Sequence, residues 1–266
     1  PFRERFLFCL EDKTIRSILI PSNINLWNLQ FSPNGKYVAS SSGGAYTKQS
    51  KNYGKGKIIQ LINPDDWTLI STVTKGYGAQ DFRFTPDGKH IIDHERVGDK
   101  SLPHGPLPNG SWGVDYKGQE EKYVYPEIRF WSVPDLKLVR TIDNVFKSRA
   151  EKYIDLSHDG KLMAIGGRDQ IEDDSKSRSR SLTRIFDLQN GSILHEFDAK
   201  GYLYFSREDK YLLLGNGQEH MAIRIFDTKE WKLREQVKFE KSFWSPDTAI
   251  SNNGDILALS HGNIVY

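Results

Sequence analysis

Asp81, Arg83 and Asp155 are the residues of this sequence best placed to act through charge. They stand one or three positions before the large apolar residues Phe84 and Leu156, which open two similar phrases, FTPDGKHIID and LSHDGKLMAI. The same two positions before related phrases hold Asn28 and Gln30, Tyr153, Tyr202 and Tyr204, and Asp247 and Ala249. On a strand, residues two apart share a face. These polar side chains therefore form columns that alternate with apolar ones. Two chemistries fit such a column. Acids and an arginine on neighbouring strands can pair into a structural charge network. Alternatively, Asp81, Arg83, Asp155, Tyr202 and Asp247 can line the mouth of a channel and bind a polar small molecule.

Other reactive groupings are sparse. The seven histidines are His90, His94, His104, His158, His195, His220 and His261. None has the tight spacing of a zinc-ligand pair. His90 and His94, with Asp93 and Glu95, come nearest, and on an unbroken strand they share a side; end-of-strand polar residues are the expectation, and no metal is expected. No nucleophile elbow, phosphate-binding glycine loop or EF-hand pattern is present. Gly166-Gly167 and Gly215-Asn216-Gly217 read as turns at strand ends. The acid pairs Asp65-Asp66 and Asp173-Asp174 fall in turns or loops, where solvent keeps carboxylates ordinary. No catalytic residue and no cofactor are assigned. A binding protein is the first expectation, and an enzyme working from scattered channel residues is the alternative.

The elements that must position these residues come from a repeat. FSPNGKYVAS from Phe31 recurs from Phe84, Leu156, Phe205 and Ile250. The intervals are 53, 72, 49 and 45 residues, against ~40–45 for one four-stranded propeller blade. Each phrase is two strands around a tight turn. Asn34-Gly35, Asp87-Gly88, Asp159-Gly160 and Asn253-Gly254 supply residues that tolerate positive φ. Glu208-Asp209 breaks that pattern, which predicts a looser turn there. A second strand pair follows each of the first four phrases, over 57–73, 127–142, 182–197 and 222–237. The unit is strand a, hairpin, strand b, variable loop, strand c, hairpin, strand d. The fold expected is all-β, a propeller of four-stranded antiparallel blades forming one domain over 1–266, with blade parts at 1–20, 28–73, 79–142, 151–197, 201–237 and 246–266. Residues 3–20 read as strands c and d, and 248–266 as a, b and the start of c. The ends fit either a five-bladed ring closed by a shared blade or a larger ring, of about seven blades, cut within one blade.

This pattern resembles the WD-repeat family of β-propellers over almost the whole chain. Arg184-Ile185-Phe186-Asp187 and Arg224-Ile225-Phe226-Asp227 stand where that family carries its Trp-Asp ending on strand c. Phe130-Trp131-Ser132 and Leu61-Ile62-Asn63 are weaker versions. The Gly-His dipeptide that the family carries before strand a is missing in every blade, so its usual Asp–His network is not expected. Lactonase-type and quinoprotein-type propellers share the SPDGK hairpin. They would imply a small-molecule-binding or enzymatic propeller that uses the channel mouth.

The long segments are 43–56, 95–126 and 168–181, all b–c loops of consecutive blades. The topology puts them on one face, opposite the short a–b and c–d turns. Lengthening a loop costs only about 0.6 kcal/mol per doubling, so drift alone can produce insertions. Yet binding residues concentrate on loops held by a rigid scaffold. Tyr46, Tyr53, Trp112, Tyr116 and Tyr123 supply aromatic area of the kind interface hot spots use, and Arg178 and Arg180 supply charge. Trp112 can instead fold back onto its own loop, and EDDSKSRSRS reads as a solvated loop. Glycan binding through the loop aromatics is a further alternative.

Composition narrows the partners. Lys and Arg total 37 against 35 Asp and Glu, a formal charge of +2, which predicts no strong pull toward nucleic acid or anionic membrane. No apolar run approaches the ~20 residues of a membrane-spanning helix. Cys9 is the only cysteine; it fits a reducing compartment, and a cytoplasmic location is expected. The first residue is Pro rather than Met, as in a processed or excised piece. The expectation is a protein-interaction or sensor module, with a protein partner bound on the insertion-bearing face.

Overall fold

The computed structural model describes residues 2–8, 15–21, 25–43, 58–74, 78–95, 104–106, 112–114, 127–147, 149–171, 178–199, 201–216, 222–238, 247–250, 257–261 and 264–265. Among them the fold is all-β. β1 (Phe2–Phe8) and β2 (Ile15–Pro21) pair antiparallel. The first full sheet is β3 (Asn25–Phe31), β4 (Val38–Gly43), β5 (Ile58–Ile62) and β6 (Leu69–Thr74). The second contains β7 (Gly78–Phe84) and β8 (His90–Glu95). Its insertion carries a small hairpin of β9 (His104–Pro106) and β10 (Trp112–Val114). β11 (Ile128–Ser132) and β12 (Leu138–Ile142) complete that sheet.

The third sheet is β13 (Arg149–Leu156), β14 (Leu162–Ile171), β15 (Arg178–Asp187) and β16 (Ile193–Phe197). The fourth is β17 (Tyr202–Phe205), β18 (Tyr211–Asn216), β19 (Ala222–Asp227) and β20 (Leu233–Lys238). A three-stranded sheet of β21 (Asp247–Ile250), β22 (Leu257–His261) and β23 (Ile264–Val265) follows. Every full sheet is antiparallel with its strands in chain order.

The repeated phrase is explained by its turn. The Ser32 hydroxyl accepts the Tyr37 amide at 3.0 Å and donates to Asn34 Oδ1 at 2.8 Å. Asn34 Oδ1 also accepts the Lys36 amide, and the Gly35 amide donates to the Ser32 carbonyl. Thr85, Asp87 and Gly88 repeat the scheme, as do Ser157, Asp159 and Gly160. Ser or Thr, then Asn or Asp two positions on, then Gly at φ near +70° are therefore demanded together. The looser turn expected at Glu208-Asp209 does not occur. Asp209 takes φ +54°, and its amide reaches the Ser206 carbonyl at 2.8 Å like the glycines. Aspartate tolerates that region better than most residues. Its carboxylate also accepts the His158 and Asp159 amides of the neighbouring turn, at 2.7 and 2.8 Å.

The c–d turns repeat as closely. The amides of Trp67, Leu136, Gly191 and Trp231 donate to the carbonyls of Asn63, Ser132, Asp187 and Asp227. Each of the four sheets carries a register shift at that hairpin. Asp187 and Asp227 each accept two amides of their own turn. The aspartate that ends strand c is thus a turn-former.

The four sheets stack face to face. β7 packs on β3 and β13, and β13 packs on β17. Three buried clusters separate them, one per junction. Neighbouring residues take opposite sides: Ile91 and Trp131 face the first sheet, while Ile92 and Phe130 face the third. Strands buried on both faces read as continuous apolar runs, which is why β8, β11 and β14 are rich in Ile, Phe and Met.

Two sequence expectations fail in β14, β15 and β18. Gly166 and Gly167 are not a turn but lie within β14, and Gly215 lies within β18. A Cβ on Gly167 would come within 2.4 Å of the Phe146 ring, so the glycine serves a close packing contact. The stretch 168–181 is not wholly a loop. Arg168 pairs with Ser181, and the ladder continues to Ile171 and Arg178. Its alternation is between two polar faces, which hides a strand from a hydrophobic-period search.

Candidate functional site

The first strands of the four sheets bring the charged column together across sheet boundaries. Arg83 on β7 meets Asp155 on β13, with Nε 3.4 Å from Oδ1. The other Asp155 oxygen accepts the Phe205 amide of β17 at 2.7 Å. One carboxylate therefore joins the second, third and fourth sheets. Gln30 on β3 extends the line by donating to the Phe82 carbonyl at 2.9 Å. Burial pushes the Asp155 carboxyl up, opposed by the Arg83 charge and the Phe205 amide. Beside it, the Tyr153 and Tyr202 rings lie 4.4 Å apart at 52°. Asp81 and Asp247 are on β7 and β21, and their side chains lie outside the described residues. What the structure brings together is thus Arg83, Asp155 and the Tyr153–Tyr202 pair. The first two are engaged in holding sheets to one another.

The opposite ends of strands b carry the insertions. Trp112 is in β10, paired with Pro106, and Arg178 ends the ladder of β15; the backbone alone places them. Tyr46, Tyr53, Tyr116 and Tyr123 lie outside the described residues. Arg180 pairs with Asp198 and Glu196. Next to it, Arg184 binds Asp169, Glu196 and the Val145 carbonyl, and its guanidinium sits 4.9 Å over the Phe146 ring. The Asp169 carboxylate also accepts the Lys147 amide at 2.6 Å. This network fixes the base of the projecting β14–β15 hairpin.

At the base of the 95–126 insertion, the Trp131 indole donates to Asp93 at 2.6 Å, and Arg129 pairs with Glu127 at 2.6 Å. Asp93, His94 and Arg129 are all buried. Burial pulls the Arg129 guanidinium below its ordinary value. Among the described residues no group of three or more His, Cys, Asp or Glu side chains converges as a metal site.

A cavity of about 370 Å³ opens where sequence reasoning placed nothing, at the turn-bearing end between the second and third sheets. Pro86, Phe130, Val139 and Leu188 supply its apolar wall, and Arg140 and Lys161 its cations.

No protein-family model matches the chain, and no curated protein matches it either.

Proposed function

We propose that the stacked sheets are blades of a WD-repeat-like β-propeller and that the protein is an interaction or sensor module. Its binding face is the end that bears the b–c insertions. One observation carries this reading. Three consecutive sheets, packed in order along their first strands, each lengthen the b–c connection at the same end, the third by carrying β14 and β15 on to ten residues each. The other end is closed by short turns of repeated geometry. Rigid sheets with variable loops at one end are a common way to build a recognition surface. The base of one insertion is further fixed by the Arg184 network, which favours binding without backbone change outside the loops.

The test replaces 97–124 with a short Gly-Asn turn and compares both proteins in affinity purification from extracts of the source cells. Both must first melt at the same temperature. A partner retained by the intact chain and lost from the shortened one is expected. Identical partners, or none with either, would remove the reading.

A further inference from the structure

The last strand of each of the first two sheets is tied to the c–d turn of the sheet that follows. On β6, the Ser71 hydroxyl donates to the Pro134 carbonyl. Ser71 pairs with Leu61 of β5 as Arg140 pairs with Phe130 of β11, so the two hold one position in successive sheets. Arg140 makes the corresponding tie with Nη1, which donates to the Leu188 carbonyl at 2.6 Å. A hydroxyl suffices for that tie in the first sheet. The arginine brings a positive charge and further N–H donors to it.

Those further donors are unused among the described residues. Arg140 Nε and Nη2 make no hydrogen bond there, and no carboxylate pairs with the guanidinium. Arg140 is half-buried, and its guanidinium lies 5.0 Å over the Phe130 ring. It lines the 370 Å³ cavity between the second and third sheets. A volume of this size suits a small ligand.

The charges around the cavity leave one positive charge over. Asp87 accepts from Thr85 and the Lys89 amide, with Lys89 Nζ at 4.0 Å. Asp159 accepts from Ser157 and the Lys161 amide, with Lys161 Nζ at 2.9 Å. Each rim acid is thus matched by the lysine of its own turn. The Arg140 charge has no such counterpart among the described residues. A monoanion balances it, whereas a phosphate monoester, at about −2, would bring a second negative charge beside Asp87 and Asp159. The apolar wall is largely aliphatic, from Pro86, Val139 and Leu188, with Val139 53% exposed at the entrance.

We propose that this cavity binds a carboxylate carried on a short aliphatic stem. The carboxylate takes Nε and Nη2, which form one edge of the guanidinium, in the bidentate geometry that arginine offers planar anions. The stem lies against Pro86, Val139 and Leu188. A free aliphatic acid and the C-terminal residue of a peptide present this same chemistry. The site lies at the other end of the sheets from the insertions and does not depend on the reading above.

The test is a methyl NMR titration of the whole chain, observing Val139 and Leu188, with hexanoate, hexanamide, acetate and hexyl phosphate. Hexanoate is expected to bind about tenfold tighter than hexanamide, the worth of one charge-assisted hydrogen bond, and tighter than acetate or hexyl phosphate. Arg140→Gln keeps an N–H for the Leu188 carbonyl and is expected to bring hexanoate down to the level of the amide. Val139→Glu sets a tethered carboxylate at the exposed entrance. Read at Leu188, it is expected to remove the same preference, and it decides the matter should Arg140→Gln misfold. A short peptide ending in Leu is titrated in parallel. Tighter binding of the peptide than of hexanoate assigns the site to a protein C-terminus, and the reverse assigns it to a free acid. No shifts at Val139 and Leu188, equal binding of hexanoate and hexanamide, acetate or hexyl phosphate binding as tightly as hexanoate, or an acid preference unchanged in a folded variant would overturn the proposal.

Discussion

The two ends of the sheets obey different rules. At the turn end, four a–b turns repeat one hydrogen-bond scheme and four c–d turns repeat another, down to the sign of φ at a single residue in each. At the insertion end, the second and third sheets hold their b–c connections in different ways. The third sheet extends both strands to ten residues and fixes their base with Arg184. The second sheet buries Asp93 under Trp131 and pairs Arg129 with Glu127 before its long insertion leaves. Repetition at one end reflects a local requirement that every turn shares. Individuality at the other reflects tertiary contacts that each sheet makes for itself. Substitutions at the two ends should therefore fail by different physics.

Two glycines give the largest contrast. Gly167→Ala at the insertion end would drive a Cβ into the Phe146 ring, and overpacking there should cost ~3 kcal/mol. Gly35→Ala at the turn end meets nothing within 4 Å and adds only the strain of φ +71°, ~1 kcal/mol. Urea unfolding of both proteins measures the difference, and equal losses would erase the distinction between the ends. Arg184→Met comes between them. The side chain is 12% exposed, and its loss strands the Asp169 carboxylate, itself 15% exposed. A cost of ~2 kcal/mol is expected, below the full value for a buried pair because some solvent reaches both groups. Proteolysis within 172–177 should accelerate in that variant, while cleavage at the a–b turns should not.

This division also governs what could be read from the sequence. The turns were legible because their chemistry is local: Ser32, Asn34 and Gly35 lie within four residues of one another and recur. The alternation before each turn likewise put Arg83 and Asp155 in polar columns on neighbouring strands, where pairing was one of two expectations, and the two do pair. Asp209 was misread because glycine was taken as the requirement, when the requirement is φ near +60° and aspartate can meet it. Gly167 was misread as punctuation because the ring that needs its missing Cβ, Phe146, comes from the segment between two sheets. The strands in 168–181 were hidden by polar side chains on both faces. The cavity was hidden for a different reason: Thr85, Pro86, Phe130, Arg140, Lys161 and Leu188 line it from separate turns and strands, and no single stretch of sequence shows them together.

The smallest expected effect lies at the centre, where neither rule applies alone. Asp155 is held by Arg83 and the Phe205 amide, yet burial dominates and its carboxyl is raised above the ordinary value of 3.8. The folded state then holds its proton to a higher pH than the unfolded chain does. Its contribution to stability is greatest below the unfolded value and is lost as pH rises through the folded one. The turn acids have the opposite sign. Burial raises Asp87, but the Thr85 hydroxyl and the Lys89 amide outweigh it and leave the carboxyl low. Asp227 is held low by the Glu230 amide first, with the Lys229 amide adding to it. Both favour the folded state above the unfolded value and lose that contribution as pH falls. Asp155→Asn keeps an oxygen for the Phe205 amide and removes the charge. It should flatten the decline of stability on the alkaline side of pH 4 while leaving the acid limb, set by the turns, unchanged. Melting temperatures of the two proteins across that range measure it. A variant that instead loses more stability as pH rises above 4 would mean that the Arg83 pair outweighs the burial of Asp155, and that these strands are held by the same charge pairing as the insertion end.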